Sequence, residues 1–400
     1  MANTLENLTP ELWSREMQEI REKDLVAMAI ANTAISSQMV YGDTFHMPYR
    51  SNLHAVNYTK GTDLNRQDVS STDETLSVDQ IKAVPIYLDH IDQVQNSYDT
   101  QMALAGDMQR DLDRVLDAEV LSAYAEASSN VDAGDVGGSS GTAVTLTTSN
   151  VDGVILAAKR YLTRLNVRLD NRFLVISPYF EQVLLDYLSG KDSNLGDTVG
   201  TNGHIGKRFG FDIYVSNNLT QTATWTPANN PSDGDTVTIN GVVFTFNTTP
   251  SAAGSVDIGG STAASIDNLV AAVNNANGYA ASAGSATAYF EVTTSDRALI
   301  ESCVATDGTT VMTIEFKGAG EIALAASEVA DPWSLQIAHA LAGRKGATSV
   351  AIQESPTVDV MKDPDRIGHN LTAHSLYGVK TFNDGADALV DIRLLASSWV

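Results

Sequence analysis

The stretch GDTFHMPYRSNLHAVNYTKGTDL, residues 42–64, decides how the rest of the chain is interpreted. It begins as a strand, because Phe45, Met47 and Tyr49 alternate with less apolar neighbours. Apolar residues then become sparse until Leu76. A compact domain rarely contains so long a connection without structure of its own. The stretch therefore predicts an extended arm that needs a packing partner outside its own domain.

The arm is predicted to consist of two strands, Thr44–Arg50 and Glu74–Asp89, joined by a long polar segment. Each strand contains a proline, Pro48 or Pro85. Because proline cannot donate to a strand ladder, both strands are expected at sheet edges or in an isolated ribbon. An isolated two-stranded ribbon is marginally stable in water, so we expect something outside its own domain to hold it.

Length and composition exclude several classes of protein. The 400 residues indicate two or three domains, and a hydrophobic share of 43% is ordinary for a folded chain. No apolar run approaches the roughly 18 residues of a membrane span, and the N-terminus lacks the pattern of a secretory signal. The single Cys303 excludes an internal disulfide framework. A net charge of −24 argues against a general nucleic-acid binder.

Helical patterns surround the arm on both sides. Residues 11–37 are predicted as a helix before it, and residues 92–127 as a single helix after it, about 50 Å long at 1.5 Å per residue. A Gly- and Ser-rich loop follows. A helix from residue 150 to 165, a buried strand at 173–177 and a helix at 178–188 then form an α-β-α unit.

Composition changes sharply at residues 222–331, which contain 12 acidic but only two basic residues, a net charge of −10. A hairpin through Asn240-Gly241, a helix ended by Asn277-Gly278 and a second hairpin through Asp307-Gly308 predict a small α+β domain. We interpret it as an insertion. After it, a helix is expected within residues 331–346, then strands with turns near Tyr377-Gly378 and at 383–385.

No motif defines an enzyme site. The string GGSSG, residues 137–141, fits the G-x-S-x-G pattern, but its neighbours are polar loop rather than strand and helix, so it is interpreted as a linker. The loop GTNGHIGKRFG, residues 200–210, matches no phosphate-binding spacing, and His204 within it is not expected to be a base. The histidines lack metal-ligand spacing. We predict no catalytic, cofactor-binding or metal-binding residues, and no cofactor.

Two clusters of charged residues are explained without a catalytic role. The carboxylates Asp111, Asp113 and Asp117 are expected on a solvated or subunit-facing surface of the long helix. Five cations lie between Lys159 and Arg172 at roughly four-residue spacing, and they fit ion pairing with an acidic neighbour, light contact with nucleic acid, or a solvated face. They are Lys159, Arg160, Arg164, Arg168 and Arg172.

The order of these segments resembles the major capsid proteins of tailed bacteriophages, with the Hong Kong 97-like fold. Four strings carry the resemblance: GDTFHMPYR, ETLSVDQIKAVPIYLDHIDQVQ, HIGKRFGFDIYVSNNL and LYGVKTFNDGADALV. The resemblance implies an α+β fold in which residues 1–41 are the N-arm and 42–91 the E-loop. It further implies a spine helix and P-domain at 92–204, an A-domain at 205–221 with 332–358, an insertion at 222–331, and a strand-rich return to the P-domain at 359–400.

The resemblance also implies a function and partners. The chain would self-assemble into hexamers and pentamers of an icosahedral shell around double-stranded DNA, with the arm lying on a neighbouring subunit. No fused scaffolding region is expected, so a separate scaffolding protein and a portal would be partners, a decoration protein is a further candidate partner, and no membrane is involved. Assembly would occur in the host cytoplasm. Some relatives cross-link an arm lysine to an asparagine of another subunit, and Lys60 is the candidate here.

Three alternatives remain open at this point. An encapsulin-like bacterial compartment shell has the same fold but encloses an enzyme; the long arm and the insertion favour the phage shell over it. A surface adhesin is weakened by the missing secretory signal. A hydrolase built around GGSSG would require Ser139 or Ser140 as the nucleophile.

Overall fold

A computed structural model describes most of the chain. The described residues are 25–39, 41–50, 53–64, 66–91, 100–190, 206–275, 288–317, 322–327, 333–334, 336–363 and 366–395. The predicted helix up to residue 24, the start of the long helix, and residues 200–205 with His204 lie outside them.

Seven α-helices and eighteen strands are present in the described residues. The helices are α1 (Ala27–Ile30), α2 (Thr100–Leu121), α3 (Val151–Arg164), α4 (Pro178–Ser189), α5 (Thr262–Asn274), α6 (Thr294–Ile300) and α7 (Asn383–Asp387). The strands are β1 (Thr44–Arg50), β2 (Ser71–Ser77), β3 (Gln80–Asp89), β4 (Ser129–Val131), β5 (Arg172–Ile176), β6 (Lys207–Arg208), β7 (Phe211–Val215), β8 (Gln221–Trp225), β9 (Thr236–Ile239), β10 (Val242–Asn247), β11 (Ser255–Asp257), β12 (Cys303–Asp307), β13 (Met312–Phe316), β14 (Leu324–Ala326), β15 (Ile337–Arg344), β16 (Thr348–Lys362), β17 (Gly368–Thr381) and β18 (Leu389–Leu395).

A nine-stranded mixed sheet forms the body of the subunit. Its main order is β12-β13-β8-β15-β5-β7-β6, with β18 on the other edge of β15 and β4 parallel to β18. Helices α3 and α4 pack on this sheet through one large hydrophobic cluster, and all five residues of β5 are buried. The predicted α-β-α unit is present as α3, β5 and α4, and Ser177 caps α4 by accepting from the amide of Phe180.

The helix expected within residues 331–346 is wrong, because Ile337–Arg344 is strand β15. Six successive residues of β15 are buried, since the strand lies between β18 on one edge and β5 and β8 on the other. A short continuous apolar run cannot be assigned to helix or strand from periodicity alone. Only the partner strands, distant in sequence, decide it.

Residues 222–331 build a second hydrophobic cluster around a four-stranded sheet of order β11-β10-β9-β14 and helix α5. The predicted hairpin turn is present, with Asn240 and Gly241 both at positive φ, 48° and 86°. The second hairpin is also present as β12 and β13. Helix α5 ends at Asn274, earlier than expected, because Asn275 takes the left-handed conformation at φ 53°.

The second cluster is not separate from the body sheet. Strands β8 and β13 pair over five residues, and β8 joins β15 through two pairs, Ile337 with Thr222 and Ala338 with Gln221. The main sheet therefore continues from one hydrophobic cluster into the other across a narrow connection.

The N-terminal helix prediction is also wrong in its described part. Helix α1 has one turn, after which Ala31 is extended and the amide of Asn32 donates to the carbonyl of Thr348. Chain beyond Ile30 pairs with the start of β16, since the Val350 amide donates in turn to the Asn32 carbonyl. A pairing that spans more than 300 residues leaves no local pattern.

Candidate assembly surface

The arm is a two-stranded antiparallel ribbon formed by β1 and β2, which we call the ribbon. Its register runs from Thr44 opposite Ser77 to Arg50 opposite Ser71. The bounds of β1 are those predicted from the sequence. The His46 Nδ1 and Asp73 Oδ2 atoms lie 2.6 Å apart across the ribbon, on its exposed surface. Pro48 therefore lies in a ladder of only two strands, where its missing amide costs least.

The second arm strand differs from the prediction, because Glu74–Asp89 divides into β2 and β3. Strand β3 leaves the ribbon and pairs with β17 from Asp89 opposite Gly368 to Gln80 opposite Tyr377. It forms one edge of a three-stranded sheet of order β16-β17-β3, so Pro85 does lie in an edge strand. The alternating pattern of residues 74–89 could not show that the chain changes partner at Val78.

The root of the ribbon is anchored on the body of the subunit. Leu76 and Val78 are buried in a small hydrophobic cluster with Ile35, Met39 and Phe382. The Glu74 carboxylate accepts from both the backbone and the side-chain amide of Asn383, the former at 3.0 Å. The ribbon is therefore fixed at one end by apolar packing and polar contacts.

The tip of the arm, residues 53–70, has no such packing. Every described residue of the tip is exposed, including Leu53 at 68%, Tyr58 at 61% and Leu64 at 58%. Lys60 is exposed beside the turn in which the Thr62 amide donates to the Thr59 carbonyl. Exposed apolar side chains on a rooted extension are typical of a surface that another molecule covers. The arrangement can bind by burial and backbone pairing, which requires no reactive group.

The GGSSG loop has a structural explanation. The Asp132 carboxylate accepts from the amides of Gly141 at 2.6 Å and Gly134 at 2.8 Å, and from the hydroxyl of Ser140 at 3.4 Å. The bond from Gly141 is the main cause that holds the pKa of Asp132 below its ordinary value. The loop is thus an ordered turn around a carboxylate, and Ser139 and Ser140 follow a 3₁₀ turn at Ala133–Val136 rather than a strand.

The five cations at 159–172 do not share one helix face. Helix α3 ends at Arg164, and Asn166 and Asn171 beyond it take left-handed φ values of 60° and 55°. Arg172 is buried in β5, where its guanidinium donates to the carbonyls of Val167 at 2.6 Å and Arg168 at 3.0 Å. It closes the turn after α3 and is not part of a binding surface.

Asp117 is not on a solvated helix surface as predicted. Its side chain is buried, and its Oδ1 accepts from the amides of Val26 at 2.8 Å and Ala27 at 2.7 Å. Its Oδ2 accepts from the side chain of Asn218 at 2.8 Å. Asp117 therefore caps α1 from a distant helix, and nothing in the local sequence distinguishes it from Asp111.

Sequence reasoning also missed a row of hydrogen-bonded polar side chains buried in the body sheet, which we call the polar line. His339 contacts the Asp391 Oδ1 atom through Nδ1 and the Thr222 hydroxyl through Nε2, both at 2.9 Å. A carboxylate, an imidazole and a hydroxyl thus follow one another in the order found in a catalytic triad. The Tyr124 ring stacks on His339 with centroids 3.8 Å apart, and His339 and Asp391 are both buried. The line links β8, β15 and β18 and satisfies its own buried groups.

Within the part of the chain that the structure describes, no group of His, Cys, Asp and Glu is arranged to hold a metal ion. No helix there is long and apolar enough to cross a membrane.

Comparisons with known proteins agree with this geometry. Residues 74–253 match the sequence model of a family described as phage capsid protein. A structure from Mycobacterium phage Che8 is similar over 98% of both chains, with a TM-score of 0.57 and 16% identity. The capsid structure of cyanophage P-SCSP1u is similar over 98% of this chain and 94% of its own, with a TM-score of 0.56 and 14% identity.

A third similar structure is the mature capsid of bacteriophage PhiM1, which covers 96% of this chain and 92% of its own at a TM-score of 0.51 and 13% identity. No protein with a curated description matches the sequence. The family match over part of the chain and the fold of the whole chain together support a structural protein of the phage capsid class. Both findings favour a major capsid protein that forms the phage shell as part of the virion. These comparisons do not favour the compartment-shell alternative.

Proposed function

We propose that this subunit closes an icosahedral shell of hexamers and pentamers around double-stranded DNA, and that the arm of each copy lies on a neighbouring copy. The observation that carries the proposal is the contrast within the arm. Its root is buried against Phe382, whereas its tip exposes Leu53, Tyr58 and Leu64. Such a contact combines burial with strand addition, and a shell repeats it at every subunit.

The proposed arrangement is Hong Kong 97-like. Residues 1–41 act as the N-arm and 42–91 as the E-loop, followed by a spine helix and P-domain at 92–204. Residues 205–221 and 332–358 form an A-domain, with 222–331 inserted into it, and 359–400 return to the P-domain. The single long helix α2 after the arm, the body sheet and the second hydrophobic cluster support this division.

Further partners follow from a shell of this kind. We expect a separate scaffolding protein during assembly in the host cytoplasm, and a portal at one vertex. A decoration protein could bind the outer surface. The DNA would be near the inner surface without specific readout, which fits a chain of net charge −24.

Shortening the arm tests the proposal. Arg50 and Ser71 face each other in the ribbon, so residues 51–70 can be replaced by Asn-Gly, a pair that closes a two-residue hairpin. The shortened subunit should remain folded by circular dichroism and soluble by gel filtration, but electron microscopy should show no closed shells. A control with Val243 and Leu299, both exposed in the 222–331 region, replaced by serine should assemble. Shells of normal yield and heat resistance from the shortened subunit would contradict the proposal.

A further inference from the structure

Four cations gather on and just beyond the C-terminal half of helix α3, and we call this set the basic face. It consists of Lys159, Arg160, Arg164 and Arg168. The opposite side of α3 is buried against the body sheet through Val154, Ile155, Ala158 and Leu162. Because the rest of the chain is strongly acidic, this concentration of positive charge within ten residues is a local exception.

Half of the basic face is neutralised by its own chain. Arg160 pairs with Asp135, and the Arg168 Nε atom lies 3.3 Å from the Asp170 Oδ1 atom. Lys159 and Arg164 have no carboxylate at ion-pair distance among the described residues.

The ring of Tyr161 fixes where the cations point. The guanidinium carbons of Arg160 and Arg164 lie 5.1 Å and 5.0 Å from its centroid. Cation–aromatic contacts of this kind hold a planar guanidinium with its donors facing outward. The exposed Arg164 is therefore presented in a defined position, which favours binding a fixed anionic surface over a diffuse counterion cloud.

The complementary charge lies in residues 222–331, with their net charge of −10. Among the described residues, none of the carboxylates of this region pairs with a lysine or arginine. Asp267 is exposed on helix α5, and Asp307 is exposed at the end of β12, the strand that α5 contacts where the Asn274 side chain bonds the backbone of Ala305. Partial desolvation of its carboxylate by neighbouring atoms, and then the like charge of Asp307, raise the pKa of Asp267. These two carboxylates form what we call the acidic pair, and a cation would relieve their repulsion.

We propose that the basic face of one subunit binds the acidic pair of a second copy in the shell. The proposal rests on the proposed function, since it names a contact between assembled subunits. Within one described chain, the ion pairs of the basic face go to Asp135 and Asp170 and none goes to residues 222–331. Each copy carries both surfaces, so the contact is heterologous and can repeat around a closed ring. It offsets, at the interface, the repulsion between subunits of charge −24.

A charge exchange tests this contact in the full chain. The doubly substituted variant Lys159→Glu with Arg164→Glu should lower the yield of closed shells by about tenfold or more, because like charges then face each other. Asp267→Lys with Asp307→Lys should do the same. Combining all four substitutions should restore the yield to within about threefold of the unchanged protein. The Asp307 side chain also accepts from the amide of Thr309 at 2.8 Å, and its substitution removes that bond. A second exchange therefore leaves Asp307 in place and combines Asp267→Lys with Arg164→Glu.

A control variant distinguishes the proposed contact from a general effect of changed charge. Lys362→Glu with Arg366→Glu, both exposed and outside residues 42–91, makes the same change of charge elsewhere and should leave the yield within about twofold of normal. Folded variants that assemble normally, or that fail to recover on exchange, would overturn the contact. Normal assembly with less retained DNA would also overturn it, because the basic face would then bind nucleic acid. The proposed function fails separately, if the unchanged protein forms no shells.

Discussion

A Cβ atom placed on Gly378 would lie 2.2 Å from the carbonyl oxygen of Ser77. Ser77 ends the ribbon, and Gly378 lies inside β17, so the backbone of the arm root passes directly over strand β17 at this point. The glycine is thus needed for close approach of two backbones, and the turn predicted near Tyr377-Gly378 is wrong. The turn at residues 383–385 is present as the short helix α7.

Gly378→Ala is expected to displace the root of the ribbon, because the atom it would meet is backbone and cannot rotate away. We expect faster amide hydrogen exchange at residues 71–78 and a subunit destabilised by about 2 kcal/mol. Gly106→Ala is the matched control, since its site in helix α2 is open and alanine should stabilise it by about 0.5–1 kcal/mol. Equal exchange rates in both variants would refute the close approach.

Asp117→Ala should be strongly destabilising, because it removes the acceptor for the Val26, Ala27 and Asn218 donors in a buried place. We expect a loss of about 3 kcal/mol in the free energy of unfolding by chemical denaturation. Asp111→Ala on the same helix removes a partly exposed ion pair with Arg114 and should cost less than about 0.5 kcal/mol. Similar costs for the two variants would show that Asp117 does not cap α1.

Thr222→Val should weaken the connection between the two hydrophobic clusters, because the Nε2 atom of buried His339 loses its partner. The expected cost is about 1–3 kcal/mol. Thr224→Val, on the same strand β8, is the control, since the bond that Thr224 donates to the Ser334 hydroxyl comes from its backbone amide and survives the substitution. Limited proteolysis should become faster between residues 222 and 331 in the first variant alone; unchanged cleavage would indicate that the line does not hold the connection.

The stability of the loop around Asp132 should depend on pH. Its pKa is lowered in the folded subunit, so its stabilisation is complete above the ordinary aspartate value of about 3.9 and is lost as the pH falls through the lowered value. The protection of the Gly134 and Gly141 amides from exchange, taken relative to the intrinsic rate at each pH and monitored by NMR, should therefore fall only below about pH 4. Asp132→Asn should make that exchange fast at every pH, whereas Asp170→Asn should not. A pH-independent loop in the unchanged protein would contradict this assignment.

Local patterns predicted the elements that depend on local chemistry. The alternation in Thr44–Arg50, the Asn240-Gly241 turn and the helix that begins at Pro178 all act within a few residues, and each is present. The exposed arm tip could also be anticipated, because sparse apolar residues cannot form a core. The family resemblance, which depends on the order of segments, agrees with the match at residues 74–253.

The features that sequence reasoning missed depend on partners far away in the chain. Strand β15 is a strand because β5, β8 and β18 surround it, not because of its own pattern. Asp117 and His339 look like ordinary surface and core residues until Val26 and Asp391 are placed beside them. Charge clusters were misleading for the same reason, since Arg172 is buried beneath a turn that left-handed Asn166 and Asn171 create.

The most direct test of the arm as the contact between subunits is a cryo-electron microscopy map of the shell formed by the unchanged protein. We expect residues 53–70 of each copy to lie on a neighbouring copy, with the side chains of Leu53, Tyr58 and Leu64 buried there. A closed shell in which the same residues fold back onto their own subunit, or remain in solvent, would contradict the account.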